Sequence, residues 1–232
     1  MRRVLKLVGL ATCLIACGGA SSSSPTPDGG KSPSATPSDD PTSSDALPVA
    51  GFCTSSEVDV SKVRFAALSP TPNAGYIALR RNIGTVPSGL TDELETVAER
   101  GAICADATNA STCKLAYDAL KPGVRVGYQV CFTRGDRAGC LESKAQAIAF
   151  LGSIKSIDEA FFVAEYEGYF GQCTYAEALS RGKQLADGSF RLAILHGDGC
   201  TDAFRAVIDV SPDGTIREIE SKKVSIDFGG CP

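Results

Sequence analysis

The chain's 232 residues suffice for one domain or two small ones. Its formal charge is −4 and no strongly basic cluster lies beyond the first six residues, which argues against nucleic-acid binding and against electrostatic docking on anionic lipid. Ten cysteines stand beside one histidine and no tryptophan, so cysteine is the residue type that says most about fold and compartment.

The first seventeen residues have the anatomy of a bacterial export signal. A basic start precedes an apolar run from Val4 to Ile15, which is shorter than the roughly 20 apolar residues that a membrane-spanning helix needs. The run leads into Leu14-Ile15-Ala16-Cys17, which resembles the lipobox of bacterial lipoproteins. That resemblance implies cleavage after residue 16, lipidation of Cys17 and a lipid anchor in the membrane. An ordinary secreted protein with a cysteine at its cleavage site is the alternative.

Gly18 follows the cysteine, where Asp retains enteric lipoproteins at the inner membrane. The resemblance therefore implies an outer-membrane location in the cell envelope, facing either the periplasm or the surface. Loss of residues 1–16 removes three positive charges and takes the net charge from −4 to about −7.

Residues 18–49 consist mainly of Ser, Pro, Thr, Gly and Asp. This composition buries too little apolar surface to offset the entropy of ordering, so the segment is predicted to be a disordered tether with a mean span of roughly 30 Å. The predicted organisation is a signal peptide over 1–16, a lipidated Cys17 and tether to residue 49, and a globular domain over 50–232. That domain could divide into subdomains 50–142 and 143–232.

Eight cysteines remain when Cys13 leaves with the signal and Cys17 carries the lipid. An even number in an exported chain predicts four structural disulfides. Zinc is disfavoured, because no two of the eight lie two to four residues apart and His196 is the chain's one imidazole. Short connections favour two local pairs, and two further pairs follow partly by elimination. The expected pairs are Cys104–Cys113, Cys131–Cys140, Cys173–Cys200 and Cys53–Cys231.

The first half of the domain is predicted to mix strands and two helices. Apolar residues between Val58 and Phe65 suggest early strands, and Tyr76–Asn82 is a further candidate. Apolar spacing of i, i+3, i+4 predicts a helix over 91–101. A second helix begins after Ser111 and stops before Pro122-Gly123, and a half-buried strand follows over Val124–Phe132.

The second half is predicted to hold two helices and a β-meander. Capping-box patterns at Ser143 and Ser156 start the helices, and Gly152 and Gly168 end them. The later strands are expected at Phe190–Leu195, Phe204–Val210, Thr215–Glu220 and Val224–Phe228, with a turn at Ser211–Gly214. The predicted class is therefore α+β, with antiparallel sheets packed with helices and stapled by disulfides.

Three segments resemble uncharacterised myxobacterial secreted proteins and lipoproteins. The similarity covers most of residues 95–232. It implies fold boundaries and an exported location, and it implies no activity. The segments are Arg100–Cys104 with Cys113 and Leu120–Pro122, Phe150–Ile154 before Asp158–Ala160, and Val210–Thr215.

His196–Cys200 is the best candidate for a catalytic patch. A histidine near Asp198 could act as a general base. The two glycines of the segment equally suit a turn between strands, and no G-x-S-x-G nucleophile motif is present. We therefore predict no catalytic residue.

Other candidates have simpler structural explanations. Arg134-Gly135-Asp136 spells an integrin-binding tripeptide but is typical of a hairpin turn. Asp209, Asp213 and Asp227 lack the EF-hand spacing that calcium requires, so no metal site is predicted.

Two predicted helices have acidic residues, which we interpret as solvated faces and helix starts rather than a binding surface. Four aromatic residues near the end of the second are expected to fill a seam between helix and sheet, or else to line a recognition patch. The acidic residues are Glu93, Glu95, Glu99, Asp158, Glu159, Glu165 and Glu167; the aromatic ones are Tyr166, Tyr169, Phe170 and Tyr175.

The leading hypothesis is a non-enzymatic binding module of the cell envelope, without metal or cofactor, whose partner is an envelope protein or an exogenous ligand. One alternative is an inhibitor or immunity-type protein that blocks a protease or toxin with a rigid loop, at Pro70–Asn73 or Asn82–Gly89. Another is a hydrolase that uses His196.

Overall fold

The computed structural model describes residues 46–54, 60–82, 94–121, 127–197 and 203–225. Within these ranges the predicted α+β class with antiparallel sheets is confirmed. None of the described helices is long and apolar enough to span a membrane. The elements are α1 (Gly51–Thr54), α2 (Val60–Ala67), β1 (Tyr76–Asn82), β2 (Leu94–Gly101), α3 (Ala110–Asp118), β3 (Tyr128–Arg134), β4 (Arg137–Cys140), α4 (Lys144–Leu151), α5 (Ile157–Ala164), β5 (Tyr169–Phe170), β6 (Arg181–Gln184), β7 (Phe190–Gly197), β8 (Ala203–Val210) and β9 (Ile216–Val224).

The first sheet has the order β2-β1-β3-β4, with all pairs antiparallel. Strand β1 spans the predicted residues. Strands β3 and β4 form a hairpin around Gly135-Asp136, where Gly135 has a φ of 54°, so the predicted turn is confirmed.

The second sheet has the order β5-β7-β8-β9, and β6 also pairs with β7. The turn between β8 and β9 is closed by the Gly214 N–H, which donates to the Ser211 carbonyl at 2.9 Å. Gly214 has a φ of 84°, which favours glycine. Strand β9 runs from Ile216 to Val224 and is longer than the predicted strand Thr215–Glu220. Residues 226–228 of the strand predicted over Val224–Phe228 lie outside the described residues.

Helix α5 lies at the centre of the core and is buried on every side from Glu159 to Ala164. Both predicted N-caps are confirmed: the side chains of Ser143 and Ser156 accept from the N–H groups of Gln146 and Glu159. The Gln146 and Glu159 side chains accept in turn from the N–H groups of Glu142 and Lys155, one residue before each cap. Side chains of both sheets join α5 in one core cluster. They include Ile77, Leu79 and Val130 of the first sheet, and Leu192, Ile194 and Ile208 of the second.

The helix predicted over 91–101 is wrong: Leu94–Gly101 is a strand. In its register with β1, Ala98 faces Leu79 and Thr96 faces Arg80, which leaves Val97 as an extra residue. Such a bulge breaks the two-residue alternation of a strand. The apolar residues of β2 therefore acquire a spacing that imitates a helix.

The early strands predicted between Val58 and Phe65 are also wrong, because Val60–Ala67 is helical. Arg64 and Phe65 of α2 are buried, and so is Leu68 directly after its end, at the spacing of one helical face. The valines suggested a strand because β-branched residues favour one, but tertiary packing decides the outcome.

Two predicted disulfides are confirmed, Cys104–Cys113 and Cys131–Cys140. The other two pairings are wrong, because Cys53 is bonded to Cys173 rather than to Cys231, and Cys173 is therefore not bonded to Cys200. The start of the domain lies along β6, where the Ala50 N–H donates to the Ser180 carbonyl and the Gly182 N–H to the Pro48 carbonyl, each at 2.9 Å. That packing brings Cys53 beside Cys173. Cys17, Cys200 and Cys231 lie outside the described residues.

Candidate functional site

A cavity of about 240 Å³ opens where α2, α5, β5 and the strands β1 and β3 meet. Helix α2 and the residue that follows it contribute one continuous face, made of Ser61, Arg64, Phe65 and Leu68 at i, i+3, i+4 and i+7. We call this space the α2–α5 cavity. The sequence analysis missed it, because the segment was predicted to form strands and the helical spacing of these four residues was therefore not considered.

Aromatic side chains make up most of the opposite wall. Tyr128 comes from β3, Phe162 and Tyr166 come from α5 and the 3-10 turn that follows it, and Tyr169 and Phe170 form β5. Three of the four aromatic residues that the sequence analysis grouped therefore line a cavity; Tyr175 is not among its lining residues. Tyr166 and Tyr169 also pack against the core. The same two residues therefore fill the predicted seam between helix and sheet and line the cavity.

Local structure explains how the aromatic residues of this wall are positioned. The rings of Phe162 and Tyr166 meet edge to face with centroids 5.4 Å apart, as expected for residues one helical turn apart. The Tyr166 hydroxyl donates to the Leu141 carbonyl at 3.4 Å. Gly168 then takes a φ of 85°, which ends the helical segment and turns the chain into β5. The four aromatic residues thus reach the cavity from two sides of one turn.

The charged part of the wall is an ion pair between Arg64 and Glu165. The Arg64 side chain is only 9% exposed and its guanidinium lies over the Phe52 ring, 5.2 Å from the centroid. Its Nε is buried and has no hydrogen-bond partner in the described part of the chain. The Glu165 side chain is 25% exposed. The carboxylate is therefore the more accessible end of the pair.

Three further acidic groups interact with residues that line the cavity. Burial raises the pKa of Asp158, and the nearby Arg64 charge partly opposes that rise. The Tyr169 hydroxyl donates to Glu218 at 3.2 Å, and its pKa is raised by burial first and then by the charges of Glu218 and Glu167. Glu167 forms an ion pair with Lys144 at 2.7 Å. Tyr169 therefore interacts with two carboxylates, one of which, Glu218, accepts its hydrogen bond.

His196 lies next to this site but behind its wall. Strands β5 and β7 pair Tyr169 directly with His196, and the two rings lie 4.9 Å apart at 36°. Asp198 and Cys200, which completed the predicted catalytic patch, lie outside the described residues. The described contacts of His196 support Tyr169 and leave the predicted hydrolase chemistry untested.

The Arg134-Gly135-Asp136 tripeptide is engaged within the chain. The Asp136 carboxylate accepts from the Thr108 hydroxyl and the Asn109 N–H, and these hydrogen bonds lower its pKa. The Arg134 guanidinium lies over the Phe132 and Phe150 rings. The turn interpretation is confirmed.

The aspartates considered for calcium have other partners. Asp209 accepts two hydrogen bonds from Arg191, at 2.7 and 2.9 Å, and a third from Arg217. Asp213 accepts from the Thr215 N–H inside the β8–β9 turn. Asp227 lies outside the described residues. Over the described ranges, no three His, Cys, Asp or Glu residues are grouped as a metal would require.

The prediction of solvated acidic helix faces is wrong at several positions. Glu95 and Glu99 lie on strand β2, where Glu95 pairs with Arg81 and Glu99 accepts from the Tyr76 hydroxyl. Glu159 is 1% exposed and accepts backbone hydrogen bonds from Ser69 and Lys155. Glu165 lines the cavity, and Glu93 lies outside the described residues.

The first predicted inhibitory loop is exposed at Thr71, Pro72 and Asn73. Two hydrogen bonds hold this loop in place: the Thr71 N–H donates to the Phe150 carbonyl at 3.1 Å, and the Lys155 ammonium donates to the Thr71 hydroxyl at 2.7 Å. Beyond Asn82, the second predicted loop lies outside the described residues.

Comparison of the chain with protein-family models, with curated proteins and with solved structures finds no match. Two other hollows, of about 370 and 300 Å³, contain Arg100 and Arg134 respectively. Those guanidiniums already donate to the backbone carbonyls of Ala66, Leu68 and Phe150. The α2–α5 cavity combines the largest aromatic wall with an accessible carboxylate, and it is therefore the candidate site.

Proposed function

We propose that the chain is an exported lipoprotein of the cell envelope whose head binds a small ligand in the α2–α5 cavity without transforming it. Cys17 would anchor it and residues 18–45 would let the head stand away from the membrane; the tether predicted to residue 49 is shorter, because Leu47 is buried and Val49 pairs with Arg181. The supporting observation is a cavity with six aromatic side chains and one accessible carboxylate, Glu165. Ligand sites are commonly concave, largely apolar and equipped with few polar groups.

The size of the cavity limits the ligand. A buried apolar cavity of roughly 150 Å³ holds benzene. The α2–α5 cavity, at about 240 Å³, therefore suits one ring with a short substituent. A ligand of about ten non-hydrogen atoms is expected to bind with a Kd in the roughly micromolar to millimolar range.

A blocking substitution tests this proposal. Ser61 lines the cavity from α2 and carries a small side chain, so Ser61→Phe should fill the space without removing a buried apolar contact. Fragments that bind the unmodified protein, detected by ligand-observed NMR, should lose binding to this variant. Ser111→Phe is the matched control, since Ser111 is exposed on α3. Unchanged fragment binding to Ser61→Phe would refute the cavity as the site.

Inhibition of a protease is the second candidate function, and the fastened loop at Thr71–Asn73 favours it. A loop that is already held in one conformation loses little entropy on binding, which is the advantage of rigid inhibitors. A panel of secreted proteases should then include one that is inhibited by the protein and much less by Lys155→Ala, which releases Thr71. Equal inhibition by both proteins would exclude this role for the loop.

A further inference from the structure

We propose that the α2–α5 cavity selects a small organic cation, with an aromatic or branched aliphatic body and one protonated or quaternary amine. This inference rests on the proposed function, because it names the ligand class of the same cavity. It follows from three features of the wall: a buried arginine, a partly exposed glutamate and the aromatic side chains around them.

Among the described residues that line the cavity, the one cation is Arg64, and it is unsuited to binding an anion. Arg64 already forms an ion pair with Glu165 and lies over the Phe52 ring. Its Nε is buried, so a ligand in the cavity does not reach that N–H. Asp158 lies near enough to interact electrostatically with the same guanidinium. Two carboxylates thus face one buried positive charge, and an incoming anion would meet net repulsion.

The accessible charge is negative. Glu165 lines the cavity with a side chain that is 25% exposed, against 9% for Arg64. At the β5 end, Glu218 accepts from the Tyr169 hydroxyl and lies on the exposed strand β9. An ammonium group in the cavity would therefore approach carboxylates rather than guanidinium N–H groups, and charge-assisted hydrogen bonds are stronger than neutral ones.

The aromatic wall favours the same charge. Faces of Tyr and Phe rings carry negative electrostatic potential, and several rings around one space form the arrangement that binds alkylated ammonium groups. Tyr128, Phe162, Tyr166, Tyr169 and Phe170 supply such rings from three elements. They also contact the apolar body of the ligand. One wall therefore serves both halves of an organic cation.

Three probes of similar size and different charge test the inference: 2-phenylethylammonium, 2-phenylethanol and phenylacetate, titrated calorimetrically into the full-length protein. The ammonium should bind about tenfold more tightly than the alcohol, and phenylacetate should bind least. The preference should shrink as ionic strength rises, because salt screens partly exposed charges.

Two variants test which carboxylate the ammonium group contacts. Glu165→Gln should lower the affinity for the ammonium about fivefold to tenfold and leave 2-phenylethanol unchanged. Glu165 also neutralises the buried Arg64 charge, so circular dichroism must show that this variant is folded. Glu218→Gln keeps an acceptor for the Tyr169 hydroxyl and should lower the affinity for the ammonium by a smaller factor. Glu220→Gln is the control, because Glu220 is exposed on the same strand and lines no part of the cavity.

The outcomes separate the two proposals. If 2-phenylethanol or phenylacetate binds as tightly as the ammonium, and Ser61→Phe abolishes that binding, the cation inference is overturned and the cavity remains a ligand site. If none of the three probes binds, the cation inference and the proposed binding function are both overturned. Tighter binding of the ammonium that depends on Glu165 supports both.

Discussion

Arg64 and Glu165 form an ion pair that joins α2 to the end of α5 across the α2–α5 cavity. The arginine is almost fully buried and the glutamate is partly exposed, so the pair is asymmetric. Removing a partner of a buried charge leaves that charge uncompensated, which costs more than the pair itself contributes.

Glu165→Ala should therefore destabilise the protein by about 2–3 kcal/mol, a value below that of fully buried pairs because Glu165 is partly exposed. The double variant Arg64→Met/Glu165→Leu should recover most of this loss, because it removes both charges and keeps their volume. Urea unfolding measures both free energies. Asp118→Ala is the control, since the i,i+4 ion pair of Asp118 with Lys114 is exposed. Its loss should change the free energy of unfolding by less than about 0.5 kcal/mol. A double variant no more stable than the single one would contradict the argument.

Glu159 is predicted to be a structural carboxylate. It lies in the first turn of α5 and accepts from the Ser69 N–H at 2.8 Å and the Lys155 N–H at 2.7 Å while almost completely buried. Glu159→Ala leaves both donors without this acceptor and should cost about 2–4 kcal/mol of unfolding free energy. Glu159→Gln should cost less, because its amide retains one carbonyl oxygen. Hydrogen exchange should show faster exchange at Ser69 and Lys155 in the alanine variant; protection unchanged at both amides would refute the bridge.

The two helix N-caps show which parts of this fold could be predicted locally. A cap depends on residues three positions apart, and both Ser143 and Ser156 start their helices as predicted. Strand β2 could not be predicted that way, because the bulge at Val97 exists only in the register with β1. The cavity could not be predicted from the sequence for a related reason. Its charged wall joins Arg64 to Glu165, and no sequence spacing connects residues so far apart.

Stability should depend on pH through Asp209. Hydrogen bonds from Arg191 first, and from Arg217, lower the pKa of Asp209 in the folded protein. A lowered folded pKa contributes stability that is present above the unfolded value near 3.9 and lost as pH falls through the folded pKa. Asp209→Asn should therefore cost about 2 kcal/mol near pH 7, and the difference from the unmodified protein should shrink steadily below about pH 4.

Denaturant unfolding at a series of pH values measures this difference. Asp118→Asn serves as the comparison, because its ion pair with Lys114 is exposed. A stability difference for Asp209→Asn that stays constant from pH 7 to pH 2 would show that packing, and not the charged form, explains the loss.

The Cys53–Cys173 disulfide should be the most stabilising of the three that are described. It joins residues 120 apart, whereas Cys104–Cys113 and Cys131–Cys140 each join residues nine apart. In the loop-entropy model, the long link is worth about 4–5 kcal/mol and each short link roughly 2–3 kcal/mol. The Cys53→Ala/Cys173→Ala variant should therefore lose more stability than Cys104→Ala/Cys113→Ala. Equal losses would show that local strain or residual structure, and not loop length, governs the result.

The same connectivity leaves Cys200 and Cys231 as the remaining cysteines of the domain, and we predict that they bond to each other. Cys200 precedes β8 by a few residues and Cys231 follows β9, and the register places Ala203 opposite Val224 at that end of the sheet. Non-reducing peptide mapping should yield one peptide pair that contains both cysteines. Free thiol at either position would refute the fourth disulfide.

Lipidation at Cys17 is testable with a control that the chain itself provides. Cys13 and Cys17 lie in the same N-terminal segment, but only Cys17 stands at the end of Leu14-Ile15-Ala16-Cys17. Two acyl chains or more give stable membrane anchoring, whereas one gives marginal binding. Cys17→Ser expressed in a bacterial host should lose labelling by an alkyne fatty acid and move from the membrane fraction to the aqueous phase. Cys13→Ser should label and fractionate like the unmodified protein, since the proposed cleavage after residue 16 would remove residue 13. A mature N-terminus at any residue other than Cys17 in the unmodified protein would refute the anchor and, with it, the membrane location of the cavity.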